Sequence, residues 1–369
     1  MAGLPPLEFF GTGGDCMQEA GVRLLCHLRE LAHIGPREAL VHLGLYCRTW
    51  RSLLREAAER GPAVAVLLDF PDFNLRLARS LSRLGVPVVY YISPQLWAWR
   101  RWRIRSVRRY TDRMLVILPF EEDYYRRRGV DAEFVGHPLL EEAGSAEDRI
   151  GFLSRAGLSP SRPLVALLPG SRRKEVEHIL PAFLEAARIM RRTSDTQFVA
   201  SVAPSVSVEQ VRAIVSRVLG ADPLAGEIRL CHEASRDILS HSDFAMVKSG
   251  TSTLEAALAA TPFLIAYKIS WSSWTLGRLL IRTPFKGLVN LIAGEMVVPE
   301  LLQGGATPEA LAATALEYLE HPEKRAAMRA RLGAIRDGLG SRRPTEIVAE
   351  RVSAYLQTVP HAPGAHPRA

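Results

Sequence analysis

The chain has 369 residues, more than one typical domain of roughly 100–200 residues, which predicts two domains. Apolar residues make up 47% and charged residues 23%, a balance that excludes a disordered or fibrous chain. The formal net charge of +8 favours anionic partners such as nucleotide phosphates, acidic lipid surfaces or nucleic acid.

Short apolar runs alternate with amphipathic segments along most of the chain. The predicted strands, in chain order, are Ala63–Phe70, Val86–Ile92, Met114–Pro119, Leu164–Pro169, Gln197–Ala203, Phe244–Lys248 and Phe263–Tyr267. The predicted helices include Phe73–Leu84, Glu121–Arg128, Lys174–Arg191, Val208–Leu219, Thr251–Ala260, Pro308–Glu320 and Pro344–Gln357. Strands that alternate with helices in this way indicate an α/β fold with parallel sheets covered by helices on both faces.

A domain boundary is predicted near residues 140–162, where a small acidic stretch is followed by the turn-rich run Leu158–Pro163. We therefore expect one Rossmann-like domain at 1–150, a second at 151–340, and a C-terminal helix with a frayed tail at 341–369. Ligands of such sheets bind beyond the carboxyl ends of the strands, so two facing domains predict a cleft.

Cysteine usage and hydropathy indicate a cytoplasmic protein. No apolar run approaches the roughly 20 residues that a membrane span requires, and Met1–Gly11 lacks the features of a signal peptide. Cys16, Cys26, Cys47 and Cys231 form no C-x-x-C pair, so we expect neither a disulfide framework nor a metal site.

Two strand-to-helix turns in the second half are candidate phosphate sites. Gly170, Ser171 and Arg172 follow one strand, where backbone N–H groups and a guanidinium would favour an anion. The second turn follows Phe244–Lys248 and contains the candidate ligand residues Lys248, Ser249, Gly250, Thr251, Thr253 and Glu255. We expect hydroxyl donors and an N-cap there, and Glu255 as a partner of ribose hydroxyls. Plain helix starts with surface charges would show the same patterns.

Carboxylates follow the first predicted strand in the run Asp69-Phe-Pro-Asp-Phe-Asn74. A carboxylate at a strand's carboxyl end could act as general base toward a hydroxyl group. Alternatively, Asp72 or Asn74 caps the following helix and Asp69 is a turn residue.

Two basic segments of the first half contain interleaved aromatic residues. Trp97–Arg109 suits nucleic acid, a phosphorylated glycolipid or a membrane interface, or a helix with Trp97 in the core. Leu31–Arg55 reads as a basic amphipathic helix that rests on an anionic bilayer or packs on the sheet. His137 could contact a ligand or hold a turn.

An ordered set of motifs resembles the lipid-A-disaccharide synthase family. The motifs are Pro71–Asn74, Gly85–Arg100, Ile117–Glu121, Phe134–Leu139, Leu168–Arg172, Lys248–Glu255, Ala266–Lys268, Asn290–Gly294 and Val298–Gln303. The resemblance implies a GT-B glycosyltransferase with two Rossmann-like parallel-sheet domains facing a cleft. Members join UDP-2,3-diacylglucosamine to 2,3-diacylglucosamine 1-phosphate (lipid X), invert the anomeric configuration, and release UDP without a metal or other cofactor.

By the same resemblance, Asp72 is the expected general base, and Arg172 stabilises the leaving diphosphate. Gly170, Ser171 and the Lys248–Glu255 turn would hold UDP, with Asn290, Glu300 and Gln303 nearby. Leu31–Arg55 matches the membrane-docking region, so we expect peripheral association with the anionic inner membrane and no nucleic-acid partner. The family includes dimers that exchange C-terminal segments, which makes a homodimer an expectation.

The family normally begins with a strand and loop ahead of the segment matched here by Phe10–Met17. We therefore expect one β-α unit of the first domain to be absent, with an open sheet edge and impaired acceptor binding. The alternatives are another UDP-sugar GT-B enzyme (a 2-epimerase or a peptidoglycan-precursor transferase), an inactive truncated homologue that binds nucleotide-sugar or lipid, and an RNA-binding protein.

Overall fold

The computed structural model of the chain describes residues 7–31, 43–142, 147–232, 235–268, 283–340 and 343–358. Within these residues, every strand pairing is parallel. The chain forms two α/β units, and the predicted boundary falls between the last strand of the first and the first strand of the second. No helix in these ranges is both long enough and apolar enough to cross a bilayer.

The first unit contains two separate parallel sheets. β1 (Phe10–Gly13) pairs with β2 (Arg23–His27), and a second sheet has the order β3-β4-β5-β6. Its strands are β3 (Ala65–Leu68), β4 (Val88–Tyr91), β5 (Arg113–Val116) and β6 (Ala132–Phe134). Its helices are α1 (Asp15–Glu19), α2 (Leu28–Leu31), α3 (Leu43–Arg60), α4 (Pro71–Arg83), α5 (Ile104–Tyr110) and α6 (Pro119–Arg126). Among the described residues, β3 is an edge strand of the four-stranded sheet.

The second unit is one six-stranded sheet of order β12-β11-β10-β7-β8-β9. The strands are β7 (Leu164–Leu168), β8 (Gln197–Ser201), β9 (Arg229–Cys231), β10 (Phe244–Lys248), β11 (Phe263–Tyr267) and β12 (Glu300–Leu302). The helices up to residue 338 are α7 (Arg149–Arg155), α8 (Arg173–Arg191), α9 (Val208–Leu219), α10 (Leu224–Glu227), α11 (Ser235–Ser240), α12 (Ser252–Leu258), α13 (Leu288–Ala293), α14 (Pro308–Glu320) and α15 (Pro322–Gly338).

Alternate residues of each central strand enter opposite cores. In β7, Val165 and Leu167 pack with α8, α9 and α14, whereas Ala166 and Leu168 pack with α12 and α15. All five residues of β7 are buried because helices cover both faces of the sheet. This arrangement fixes the carboxyl ends of β7 and β10 side by side, since these two strands are direct neighbours.

The last helix, α16 (Pro344–Thr358), returns to the first unit. Its apolar residues Ile347, Val348 and Val352 pack against Val89 and Leu115 of the first sheet. Arg351 Nε also donates to both carboxylate oxygens of Glu133 on β6, at 2.8 and 2.9 Å. The C-terminal segment expected at 341–369 is therefore a layer of the first unit up to residue 358, and its expected frayed end lies outside the described residues.

In place of one amphipathic helix over Leu31–Arg55, the described residues show the end of α2 at Leu31 and the start of α3 at Leu43. Residues 32–42 lie outside the described residues, and the helix that follows them is α3. Trp50 and Leu53 of α3 pack against the core of the first unit. These two side chains therefore pack on the first unit, as one of the two interpretations of this segment predicted, and the contact of this segment with a membrane stays a prediction.

Candidate active site

The carboxyl end of β3 makes a strained turn. Asp69 and Phe70 both have positive φ, at 42° and 43°, a left-handed conformation that side chains of this kind rarely adopt. The amide of Asn74 donates to the carbonyl groups of Leu68 and Asp69, at 2.9 and 2.8 Å. The hydroxyl of Tyr90 donates to the same Asp69 carbonyl at 2.5 Å. Such conformations persist only where the surroundings enforce them, and they concentrate at functional sites.

Asp72, the expected general base, lies in the first turn of α4 and is bound by two guanidinium groups. Arg100 Nη1 donates to Asp72 Oδ1 at 2.7 Å, and Arg103 Nη2 contacts the same oxygen. Partial burial raises the pKa of this carboxyl, but the hydrogen bonds and charges of Arg103 and Arg100 outweigh it, and the pKa lies below its ordinary value. Neither Asp72 nor Asn74 caps the helix, because the cap position belongs to Phe70.

Asp69 has the opposite electrostatic environment. Desolvation by the surrounding turn raises the pKa of its carboxyl above the ordinary value, and the backbone N–H of Phe70 offsets this only in part. Among the described residues, Asp69 has no cationic partner within ion-pair distance. The sequence analysis left Asp69 open as a candidate base at the end of an apolar strand or as a turn residue, and the family resemblance then favoured Asp72.

Glu121 anchors the loop that carries the arginines. This carboxylate is 1% exposed and accepts hydrogen bonds from Ser93 Oγ at 2.8 Å, Trp97 Nε1 at 2.9 Å and the backbone N–H of Leu118 at 3.1 Å. Burial raises the pKa of Glu121 to about 7 even though three donors favour the charged form. Trp97 is thus a fixed support of the loop at 93–103, and the Trp-Arg run forms a loop followed by α5.

The Gly170–Arg172 turn leads from β7 into the 19-residue helix α8. Gly170 has φ +114°, a backbone conformation that residues with a side chain rarely adopt, so glycine is strongly favoured there. Arg172 is at the N-cap position and its side chain is 62% exposed. Free N–H groups at the start of a long helix and an exposed guanidinium give this turn the chemistry of an anion site.

The Lys248–Glu255 turn begins at the neighbouring strand end. Lys248 Nζ lies 2.9 Å from Glu175 Oε1, and Arg172 Nη1 lies 3.6 Å from the same oxygen. Two cations therefore share one carboxylate at this edge, which leaves a positive excess. The structure thus brings together the two turns that the sequence analysis singled out separately.

Hydroxyl groups in the second turn hold the backbone. Ser249 Oγ donates to the carbonyl of Lys286 at 3.1 Å, and Thr253 Oγ1 donates to the carbonyl of Gly250 at 2.7 Å. Thr251 occupies the N-cap position of α12, but its side chain makes no capping hydrogen bond, so the expected cap is not formed. Thr251 is exposed at the strand ends, whereas Thr253 is fully buried.

Glu255 has a buried carboxylate oxygen that receives no hydrogen bond from the described residues. Its Oε2 atom has no hydrogen-bond partner within the described ranges. Burial, followed by the charge of Glu142, raises the pKa of Glu255. A buried acceptor at the start of a helix, one turn from Thr251, fits a hydroxyl group of a bound molecule.

Asn290 and Glu300 are joined by a side-chain hydrogen bond. The amide of Asn290 donates to Val298 O and Glu300 Oε1 and accepts from the N–H groups of Val297 and Val298. The two donated and two accepted hydrogen bonds of the Asn290 amide are therefore all made within the chain. Glu300 in turn accepts from the backbone N–H groups of Lys286 and Gly287. Both residues support the Ser249 turn through this segment, and their predicted contact with a nucleotide stays a prediction.

The remaining residues of interest are Gln303 and His137. Gln303 is buried directly after β12 and has a positive φ of 47°; its predicted nucleotide contact is untested. His137 Nδ1 accepts from the N–H of Leu139 at 3.2 Å, and burial lowers the pKa of His137 to about 4. His137 therefore holds a turn, one of its two sequence-based interpretations.

Two successive α/β units of parallel sheet are the architecture of the GT-B fold. The fold is similar to that of a UDP-GlcNAc 2-epimerase from Neisseria meningitidis solved with UDP-GlcNAc, at a TM-score of 0.60 and 10% identity, with 94% of this chain and all of that chain covered. At that identity, the likeness concerns the fold alone.

The sequence comparisons define the family. The family described as lipid-A-disaccharide synthetase matches residues 2–346. The lipid-A-disaccharide synthase of Koribacter versatilis is 42% identical over 354 residues, which cover 96% of this chain and 91% of that protein. That of Myxococcus xanthus is 45% identical over 311 residues, with 84% and 79% covered. The chain belongs to the lipid-A-disaccharide synthase family.

The buried carboxyl of Glu121 predicts a pH-dependent loss of stability. Because its pKa in the folded protein is about 7 against an ordinary 4.5, the folded state holds a proton that the unfolded state releases between these values. The free energy of unfolding, measured with urea, should therefore fall as pH rises from 5 to 8, by roughly 2–3 kcal/mol relative to Glu121→Gln.

Glu122→Gln, the same change at the next residue, controls for the loss of one carboxylate. Parallel pH curves for the native chain and Glu121→Gln would contradict this assignment of the proton.

Proposed function

We propose that this protein joins UDP-2,3-diacylglucosamine to 2,3-diacylglucosamine 1-phosphate. The acceptor 6-hydroxyl oxygen forms a bond to the donor's anomeric carbon while the bond from that carbon to the diphosphate oxygen breaks. UDP leaves with the bonding electron pair, and the hydroxyl proton passes to a carboxylate of the first unit. A single in-line displacement of this kind inverts the anomeric configuration.

The observation that carries this proposal is the setting of the strand-end carboxylates. The rings of Tyr46, Phe70 and Phe73 form an apolar cluster at the turn, with centroids 5.8–6.4 Å apart. Arg100 and Arg103 bind Asp72 in the first turn of the helix that follows. A strand end with carboxylates, an apolar cluster and a cationic pair suits an acceptor that has acyl chains, a hydroxyl group and a phosphate. A soluble substrate of an epimerase has no need of the apolar cluster.

Asp69 is the better-placed general base. A general base must be unprotonated before the reaction and must bind a proton well during it. A carboxylate held by two guanidinium groups is a weak proton acceptor. The ion pairs of Asp72 therefore count against the prediction that it takes the proton. The raised pKa of Asp69 favours proton uptake from a hydroxyl group.

The second unit would hold the donor's UDP group. Negative charge develops on the diphosphate as the bond breaks, and preformed positive groups stabilise it. Arg172, the N-terminal N–H groups of α8 and Lys248 supply that charge at one sheet edge. The unpartnered oxygen of Glu255 supports its predicted role as acceptor for a ribose hydroxyl.

A membrane surface is the proposed source of both lipid substrates. The indole of Trp102 is 66% exposed and lies among Arg101, Arg105, Arg108 and Arg109, which are exposed as well. Exposed Trp and Arg side chains together favour the interface of an anionic bilayer. This surface, and not the core-packed side chains of Trp50 and Leu53 on α3, is the proposed contact.

The two carboxylates are distinguished by parallel substitutions. With UDP-2,3-diacylglucosamine and the phosphorylated acceptor, the native chain should form the disaccharide and UDP. Asp69→Asn should lower kcat by about 100-fold or more, the scale of general base catalysis. Asp72→Asn should cost less than about tenfold, because no proton is transferred to it. The reverse ranking would restore Asp72 as the base, and an inactive native chain would reject the proposed reaction.

UDP binding tests the second unit. Arg172→Ala should weaken UDP binding in calorimetry by about 10- to 100-fold, because a charge-assisted hydrogen bond contributes about 1.5–3 kcal/mol. Arg188→Ala, at the other end of α8, removes the same charge and should bind UDP normally. Equal affinities for all three proteins would remove Arg172 from the site.

Vesicle binding tests the membrane contact. Trp102→Ser should weaken binding to phosphatidylglycerol vesicles by about tenfold, since burial of part of an indole ring contributes on the order of 1 kcal/mol or more. Met296→Ser alters a 59%-exposed apolar side chain of the second unit and serves as the control. Equal flotation of both variants with the vesicles would exclude Trp102 as the contact.

A further inference from the structure

The arginine pair beside the strand end has more binding capacity than its partner uses. Arg100 and Arg103 both contact the single oxygen Oδ1 of Asp72. Each guanidinium has five N–H donors, and within the described ranges only one donor of each is used in these contacts. The group of three side chains carries a net positive charge.

The carboxylate of Asp72 is easily displaced from this pair. Its side chain is 60% exposed, and those of Arg100 and Arg103 are 32% and 22% exposed. Ion pairs that solvent can reach contribute only about 0–1 kcal/mol. A dianionic phosphate, which offers three oxygens to two guanidinium groups, is a stronger partner than one carboxylate oxygen.

The arginines are held in position before any ligand arrives. The Arg100 guanidinium lies 4.2 Å from the centroid of the Trp99 ring, and the Arg100 backbone has a positive φ of 52°. The loop at 93–103 is also held by the hydrogen bond from Trp97 to buried Glu121. Preorganisation of this kind lowers the entropy lost on binding.

The pair also lies close to the proposed base. The hydroxyl of Tyr90 contacts the backbone of Asp69, and the charges of Asp69, Arg103 and Asp72 all act on that hydroxyl. In a hexosamine 1-phosphate, the carbon that bears the phosphate and the carbon that bears the 6-hydroxymethyl group flank the same ring oxygen. One sugar ring can therefore present its hydroxyl to Asp69 and its phosphate to the arginines.

We propose that Arg100 and Arg103 form the subsite for the phosphomonoester of the acceptor, with Asp72 as the counter-ion that occupies it in the absence of acceptor. This inference rests on the proposed function and adds a specificity determinant to it. The subsite selects acceptors that carry a phosphate on the anomeric carbon.

Kinetics with two acceptors in neutral detergent micelles test the subsite. For the phosphorylated acceptor, Arg103→Gln should raise KM by about 10- to 100-fold, from the loss of a charge-assisted contact. For 2,3-diacylglucosamine without its phosphate, the native chain and Arg103→Gln should have equal kcat/KM. The KM for UDP-2,3-diacylglucosamine should not change. Arg103→Lys keeps the charge but loses the planar donor pair, and its KM should lie between the two.

Arg83→Gln is the matched control, because Arg83 is exposed at the last residue of α4 and the described part of the chain gives it no ion pair. A membrane headgroup carries the same phosphate chemistry, so binding to phosphatidylglycerol vesicles is measured for both variants. If Arg103 serves only a headgroup, vesicle binding falls and the phosphorylated and dephosphorylated acceptors lose equal activity in micelles. That result would overturn the inference.

Equal loss of activity on both acceptors, or an effect of Arg83→Gln as large as that of Arg103→Gln, would also overturn it. Equal thermal unfolding midpoints exclude misfolding as the cause. If the native chain makes no disaccharide, the proposed function fails, and calorimetry with the two acceptors still decides the subsite: a preference for the phosphorylated acceptor that Arg103→Gln removes would support it, and equal affinities would reject it.

Discussion

Asn74 holds two successive carbonyl groups at the end of β3 with one amide group, and this contact fixes the first unit's part of the site. The bonds keep Asp69 and Phe70 left-handed, a conformation that costs on the order of 1–3 kcal/mol per residue. In the same turn, the Phe70 ring centroid lies 6.2 Å from that of Tyr46, and α4 begins at Pro71. Asp72 then meets the arginines, so the carboxylates, the apolar cluster and the cationic pair all depend on one strained turn.

Two units divide the chemistry according to charge. The first unit has two carboxylates, the apolar cluster and two arginines at one strand end, whereas the second has two cations around Glu175 beside a glycine turn. In both places a carboxylate of the chain neutralises part of a positive cluster. Such internal counter-ions keep arginine and lysine side chains ordered without sealing them from an incoming phosphate, because the pairs remain open to water.

The sequence predicted the central strands well because buried parallel strands read as continuous apolar runs. Phe244–Lys248 and Phe263–Tyr267 agree with the structure at both ends. The short strands β1, β2, β6, β9 and β12 were missed, since three to five half-exposed residues give no such run.

The site was predicted less completely for a physical reason. Strand-end turns are visible in a sequence, and both candidate phosphate turns were singled out in this way. The partners of Asp72 come from a loop 28 and 31 residues away, and Arg100 has a left-handed backbone conformation that the local sequence does not predict. The hydrogen bonds of Asn290 to Val297, Val298 and Glu300 were not visible in the sequence, because they depend on the folded backbone.

The return of α16 to the first sheet has a mechanical consequence. The chain passes between the units near residues 135–163 and again near 340, and the two passages touch: His137 N donates to Leu339 O at 3.0 Å, and a Cβ on Gly340 would lie 2.7 Å from the Gly136 Cα. Because the two crossings are joined at this point, the units cannot separate here without breaking this contact. The lack of a side chain at both glycines lets the two backbones approach this closely.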